Sequence, residues 1–203
     1  QKLHGALISR HMAREYYGGG DAGAAIELED TILPPHLSAD EAREACRALK
    51  GMTLRQEIYA LDEKEESCRP YTVAENNYAV RILQHKRNNR HAVFFTHARE
   101  ALNCNYERKL YLVEGRKRAD PRVSHSVTLE TDDYGNVLKS VAVAYGRCFP
   151  EASPLLTEDD RKGQAQVLLT LTENGYTNAV KEDDAYRKPV AAETRLYELS
   201  GMH

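Results

Sequence analysis

The side chains of this 203-residue chain that could do chemistry are few, and the spacing between them argues against most of what they could do. Ser124-His125-Ser126 sets an imidazole between two hydroxyls, the pairing that a nucleophile and its base require. The flanking residues alternate at a period of two, so on a strand His125 points to the face opposite both serines and reads as a packed or hydrogen-bonded strand histidine. His91 and His97 bracket the apolar run Ala92 to Phe95. Six residues apart on one strand, they would share a face yet stand roughly 20 Å apart, too far to hold one metal ion. The acidic runs Glu158-Asp159-Asp160 and Glu182-Asp183-Asp184 lack the spaced carboxylates and the turn glycine of a calcium loop, and are expected to be solvated loop tips. Arg116-Lys117-Arg118, with Gly115 before it, reads as the basic tip of a hairpin.

Cys46, Cys68, Cys104 and Cys148 stand far apart, without a C-x-x-C or a histidine at zinc-site spacing, so buried or half-buried free thiols are expected. Glu27-Leu28-Glu29 matches the paired glutamates of ADP-ribosyltransferases, in which the second carboxylate assists nucleotide cleavage. Those enzymes also use a Ser-Thr-Ser strand, absent from this sequence, and the 26 residues ahead of Glu27 are too few for a nucleotide-binding core. The expectation is therefore no catalytic residue, no cofactor-binding residue and no metal ligand set.

Composition narrows the classes further. With 28 basic and 31 acidic side chains the net charge is −3, and no long block of one sign offers an electrostatic footprint for nucleic acid. No apolar run approaches the roughly 20 residues that span a bilayer, and the first residues lack a signal-peptide pattern, so no membrane insertion is expected. A hydrophobic content of 41% suffices for a core. Beginning at Gln1 without an initiator Met and stopping just past a strand-like segment, the chain reads as a piece of a longer polypeptide.

The elements that would carry these residues are mostly strands. Residues 5 to 17 have helical spacing through Leu7, Ile8, Met12 and Tyr16, ended by Gly18-Gly19-Gly20. Ser38 with Glu41 three residues on is a capping box, and Ala42, Ala45, Cys46 and Leu49 then line one face of a helix over 38–50. From Thr53 the period changes to two. Strands are predicted at 53–61, 71–84, 91–97, 101–113, 122–131, 136–146, 166–173, 176–180 and 191–199, separated by charged or Gly/Pro-bearing breaks. Within DDYGNVLKS, Gly135 supplies the positive φ of a tight turn between two β-branched runs, and the second run is semi-apolar on both faces, as a strand covered on both sides would be. The predicted fold is mainly β: a helical N-terminal segment, 1–52, feeding a multi-stranded antiparallel meander, 53–203.

Six stretches carry a family resemblance. SRHMAREYYGGGD from Ser9, LPPHLSADEAREACRALKGMTLRQEIYALD from Leu33, PYTVAENNYAVRILQ from Pro70, HAVFFTHAREALNCNYER from His91, DPRVSHSVTLETDDYGNVLKSVAVAYGR from Asp120 and YRKPVAAETRLYEL from Tyr186 resemble, in order, the B component of bacterial insecticidal toxin complexes. The likeness is to the middle/C-terminal region of that component and runs from about Ser9 to Leu199. The single DYGN corner is also similar to the tyrosine-aspartate repeats of RHS proteins.

This resemblance implies a structural role in a secreted toxin. In the family, B joins a C component, their spiralling β-sheet forms a hollow shell around the cytotoxic C-terminal fragment of C, and a propeller in B docks the shell onto the pore-forming A component. Expected partners are thus the remainder of B, the C component and, indirectly, the A component. The propeller and the aspartate-dependent self-cleavage of C have no counterpart in these residues. Two other classes compete: a carbohydrate-binding β domain, prompted by 12 tyrosines but short of any tryptophan platform, and an enzyme, for which no convergent residues are found.

Overall fold

Alternation at a period of two continues through most of the chain after Thr53, and it builds one large sheet. The structure, a computed structural model, describes residues 2–3, 6–7, 15–19, 27–149 and 153–200. Strands β3 (Arg55–Ile58), β4 (Thr72–Gln84), β5 (Val93–Asn105), β8 (Arg122–Thr131), β9 (Val137–Ala144), β10 (Leu168–Tyr176) and β13 (Ala191–Leu199) form a seven-stranded antiparallel sheet in the order β13-β10-β9-β8-β5-β4-β3. Two short hairpins interrupt the meander: β6 (Leu110–Val113) with β7 (Arg116–Ala119), and β11 (Val180–Lys181) with β12 (Tyr186–Arg187). A further small pair, β1 (Lys2–Leu3) with β2 (Ala6–Leu7), stands at the N-terminus.

Several expectations need correction. Ala6–Leu7 is strand, so the helix over 5–17 does not begin as predicted, and residues 8–14 lie outside the described ones. The segments 91–97 and 101–113 are instead one strand, 93–105, and a separate β6. Ala98-Arg99-Glu100 breaks the pattern, but a register shift opposite Asn77/Tyr78 absorbs the extra residue and lets the pairing continue. Arg116-Lys117-Arg118 lies within β7; the tip of that hairpin is Glu114-Gly115, with φ of +50° and +76°, the two left-handed residues of a tight hairpin turn. Glu158-Asp159-Asp160 is the first turn of a helix, α2 (Glu158–Ala165), because Thr157 accepts from the Asp160 backbone N–H and Asp160 reaches back to the Thr157 N–H. The stretch 176–180 is strand only at its two ends, Tyr176 closing β10 and Val180 opening β11, so the predicted separate strand there does not form.

The predicted hairpin turn at Asp133 to Asn136 forms, and its organiser is the preceding Asp132. One carboxylate oxygen accepts from the Tyr134 and Asn136 backbone N–H groups at 2.8 Å each, and the other accepts from the Asn136 amide at 2.8 Å. Gly135 has φ +84°, and a Cβ there would sit 2.1 Å from the Phe95 ring. Gly146, after β9, is held differently: a Cβ would fall 2.1 Å from the Ala165 carbonyl oxygen, so the end of α2 can lie against the strand only because that residue is glycine.

Helix α1 (Ala39–Ala48) forms with the predicted capping box, and its carboxylates also grip the β4–β5 turn. Glu41 Oε2 closes the box on the Ser38 N–H at 3.0 Å, while Oε1 accepts from the Lys86 N–H at 2.9 Å and lies 3.0 Å from His85 Nδ1. One turn on, Glu44 takes the Ala92 N–H at 2.7 Å and faces His91 Nδ1 at 3.0 Å, and Asp40 pairs with Lys86 at 3.0 Å. Buried Arg108, at φ +58°, forks onto Asp62 at 2.9 and 3.1 Å and donates to the Tyr71 hydroxyl at 2.8 Å, tying the β5–β6 turn to the loop before β4.

The Glu41 carboxyl is held down to about 2 by the Ser38 backbone N–H, then by the Lys86 N–H, the Ser38 hydroxyl and His85. A folded-state pKa below the unfolded one stabilises above the ordinary carboxylate range, and the effect is lost as pH falls through the folded value. Unfolding midpoints followed downward from about pH 5 should therefore drop in the native chain and drop less in Glu41→Gln, which has no carboxylate to titrate at this turn.

Candidate functional site

None of the residues singled out for chemistry converges with another into a reacting centre. His125 lies on the face opposite Ser124 and Ser126, as alternation requires. Its Nε2 stands 3.1 Å from Glu100 Oε2 and its Nδ1 3.3 Å from the Tyr145 hydroxyl, while the Ser126 hydroxyl turns to the Ala101 carbonyl. His91 is not on a strand; it faces Glu44, whereas His97 stacks on Phe95. Glu29 pairs with Arg99 at 3.2 Å and its carbonyl accepts from Asn77, so the segment carrying Glu27 and Glu29 is a strap over β4 and β5. Glu182 to Asp184 form the exposed turn between β11 and β12. The four cysteines form no disulfide; Cys104 is buried and Cys46 half-buried as expected, but Cys68 and Cys148 are exposed. Some of the tyrosines pack in pairs, Tyr17 meeting Tyr106 edge-on at 5.2 Å and Tyr111 meeting Phe149 at 5.6 Å, while Tyr186 is exposed.

The polar cluster that sequence reasoning missed lies under this strap. Arg55 donates to Glu57 at 2.8 Å and to Glu75 at 2.5 Å, and lies 4.3 Å from the centre of the Tyr16 ring. Glu57 also receives the Tyr17 N–H at 3.1 Å, and Glu75 the Leu28 N–H at 2.8 Å. Burial pushes the Glu75 carboxyl up in spite of these donors, and pushes up the Tyr106 phenol and the Cys104 thiol beside it. Two carboxylates sharing one guanidinium under a strap is a packing arrangement: each anchors a backbone N–H of the N-terminal segment to β3 or β4. The only prior signal was the alternation of Arg55, Glu57 and Glu75 on strands that become neighbours.

What the sheet does offer is two faces of opposite chemistry, and the register defines them. Across one face run the rows Val73, Cys104, Val123; then Glu75, Leu102, His125, Val143, Leu169, Leu199; then Asn77, Glu100, Val127, Val141, Leu171, Tyr197. This is the packed face, where Leu28 and Tyr106 close over Val73, Leu102 and Cys104. The other face carries Ala74, Asn103, Ser124, Ala144, Leu168; then Asn76, Ala101, Ser126, Ala142, Thr170, Glu198; then Thr128, Ser140, Thr172, Leu196. Ala142 and Ala144 are exposed, so the β9 strand is not covered on both sides within the described residues, contrary to the expectation from its semi-apolar pattern. Among the described residues both outer strands are open along most of their length: all nine residues of β13 are exposed, and beyond the end of β3 the bridge from Ile32 to Ala79 extends the pairing along β4.

The open antiparallel sheet thus has one packed face and one whose side chains on β5, β8 and β9 are small, with Leu168, Leu196 and Glu198 on β10 and β13 beyond them. Residues 44–188 match the family described as insecticide toxin TcdB middle/C-terminal region, and the chain belongs to that family. Among solved structures, the crystal structure of TcdB2-TccC3 without hypervariable C-terminal region is similar at a TM-score of 0.71 and 27% identity, over 95% of this chain and 9% of that one. The crystal structure of TcdB2-TccC3-Cdc42 gives 0.70 and 25%, over 95% and 9%. The Photorhabdus luminescens Tc holotoxin pore with the TccC3 mutation D651A gives 0.68 and 24%, again over 95% and 9%, a likeness of fold. This chain thus spans about a tenth of the chains it matches. No curated protein matches it. Among the described residues no helix is long and apolar enough to cross a membrane.

The two faces should respond differently to substitution. Leu102→Ala, on the packed face, should cost about 2–5 kcal/mol. Ser126→Ala, on the other face, should stay within about 0.5 kcal/mol. Denaturant titration of the two variants checks this, and equal losses would contradict the assignment of the faces.

Proposed function

We propose that this chain is a section of the β-sheet wall of a secreted toxin-complex B component, which together with a C component encloses a cytotoxic polypeptide for delivery through the pore-forming A component, and that it performs no reaction of its own. The observation that carries this reading is the open seven-stranded sheet. Its two edge strands leave backbone donors and acceptors for neighbours, and its fold matches about a tenth of chains solved as TcdB2-TccC3. A wall needs continuous strand pairing, because a gap exposes both backbone edges and whatever lies behind them. The separation of His125, His91, Glu27 and Glu29 from any shared reacting position supports a role without turnover.

Two experiments on the complete B and C assembly test this. Val141 pairs with Val127 on one side and Leu171 on the other, so Val141→Pro removes a donor in a central strand. It should block shell formation or leave the enclosed fragment open to protease, while Asp183→Ala in the β11–β12 turn should do neither. Normal assembly and full protection in Val141→Pro would end the container reading. Glu27→Ala with Glu29→Ala should leave the chemical turnover of the released fragment unchanged; lost turnover with normal assembly would show that this region takes part in a reaction.

A further inference from the structure

The β4–β5 turn carries a run of basic side chains outside any helix or strand. Between Gln84, which ends β4, and Val93, which opens β5, stand Lys86, Arg87 and Arg90, and Arg87 to His91 are all exposed. Lys86 pairs with Asp40 at 3.0 Å, whereas the side chains of Arg87 and Arg90 make no hydrogen bond or ion pair among the described residues. Arg87 has φ +37°, in the left-handed region, and the Asn89 N–H closes the turn on the Lys86 carbonyl at 2.6 Å. Exposed loop tips are where proteases nick folded chains. A free guanidinium is the side chain chosen by a protease that holds a carboxylate at the base of its specificity pocket. The Arg87–Asn88 and Arg90–His91 bonds meet both requirements.

Exposure alone does not make a bond cleavable, because a protease takes residues on both sides in extended form and a closed turn has to open first. Here both flanks of the turn are fastened to α1. On the β4 side Glu41 accepts from the Lys86 N–H at 2.9 Å, and on the β5 side Glu44 accepts from the Ala92 N–H at 2.7 Å. His85 and His91 lie 3.0 Å from the same two carboxylates. The Glu41 and Glu44 side chains are only 8% and 16% exposed, so water competes poorly for these bonds. Below the turn, β4 and β5 pair from Thr72 with Asn105 up to Gln84 with Val93. Opening confined to the turn therefore leaves the sheet paired, and a chain nicked there would keep its two parts together.

We propose that the β4–β5 turn is a cleavage site for proteases of trypsin specificity, and that α1 keeps it shut by holding both flanks through Glu41 and Glu44. In the reaction water adds across the Arg87–Asn88 or Arg90–His91 peptide bond and the C–N bond breaks. The products are an arginine α-carboxylate and a new α-ammonium group on Asn88 or His91. While the grips hold, the turn is cut slowly; once the Glu44 grip is lost, the start of β5 frays and the turn can extend into a protease cleft. The site is independent of the container role.

Trypsin digestion of the complete B component tests this, with new N-termini at Asn88 and His91 followed by mass spectrometry. Glu44→Ala removes the hold on Ala92 and His91 and leaves the Ser38–Glu41 capping box of α1 in place. It should raise the rate at which those termini appear by about tenfold or more, the factor for losing one charge-assisted hydrogen bond. Glu44→Gln, which keeps an oxygen for the Ala92 N–H, should raise it less. Glu44→Ala combined with Arg87→Gln and Arg90→Gln should give neither terminus. Equal rates in the native and Glu44→Ala proteins, or no cleavage at the turn in either, would overturn the proposal. If Glu44→Ala is also cut widely elsewhere, it has lost its fold, and amide exchange in the native protein decides instead. Lys86 and Ala92 should then exchange about tenfold or more slowly relative to Asn88, and equal exchange at the three amides would overturn the proposal.

Discussion

The register that sets Leu102 between Glu75 and His125 is the constraint on which the rest of the structure depends. Antiparallel partners share a face, so this one alignment decides that Val73, Cys104 and Leu102 meet Leu28 in the core and that Asn103, Ser124 and Ala144 do not. A slip of one residue on β5 would exchange the two sets entirely. The alignment is held from both ends of the strand. At one end Glu41 and Glu44 grip the β4–β5 turn, and at the other Arg108 ties the β5–β6 turn to Asp62 and Tyr71.

Those grips have a common form: a carboxylate or guanidinium from one segment takes backbone groups of another. Glu57 and Glu75 hold the N–H groups of Tyr17 and Leu28, Asp120 holds those of Cys148 and Phe149 at 3.1 and 2.9 Å, and Arg69 donates to the Arg108 carbonyl at 2.9 Å. Such bonds matter here because the apolar core is small, with few fully buried side chains. Charge-assisted bonds to otherwise unpaired backbone groups fix where straps and turns lie, which a handful of buried aliphatic contacts could not do alone.

The remaining apolar surface is not distributed as a self-sufficient domain would have it. Leu168, Leu196, Tyr186 and Val190 are more than half exposed, close to the β10–β13 end of the sheet, and β13 offers a full outer edge. An uncovered edge strand bearing leucine and tyrosine is an aggregation hazard in isolation and an ordinary feature of a sheet that continues into neighbouring chain. This agrees with a chain that covers only about a tenth of its solved counterparts.

The sequence by itself determined the local structure wherever short-range chemistry dominates. The Ser38–Glu41 capping box, the Asp132 to Asn136 hairpin and the alternation that parts His125 from its serines are each decided within a few residues, and the six resembling stretches were enough to indicate the family. Tertiary structure decided the rest, for identifiable reasons. Whether Arg99 ends a strand or sits at a bulge depends on what β4 presents opposite it; whether Glu158 opens a loop or a helix depends on Thr157 and on the room Gly146 leaves for Ala165. The contrast between the two faces became visible only once five strands, each carrying an unremarkable run of Ser, Thr, Ala and Asn, were set side by side in one register, because a face is a property of paired strands and no single strand contains it.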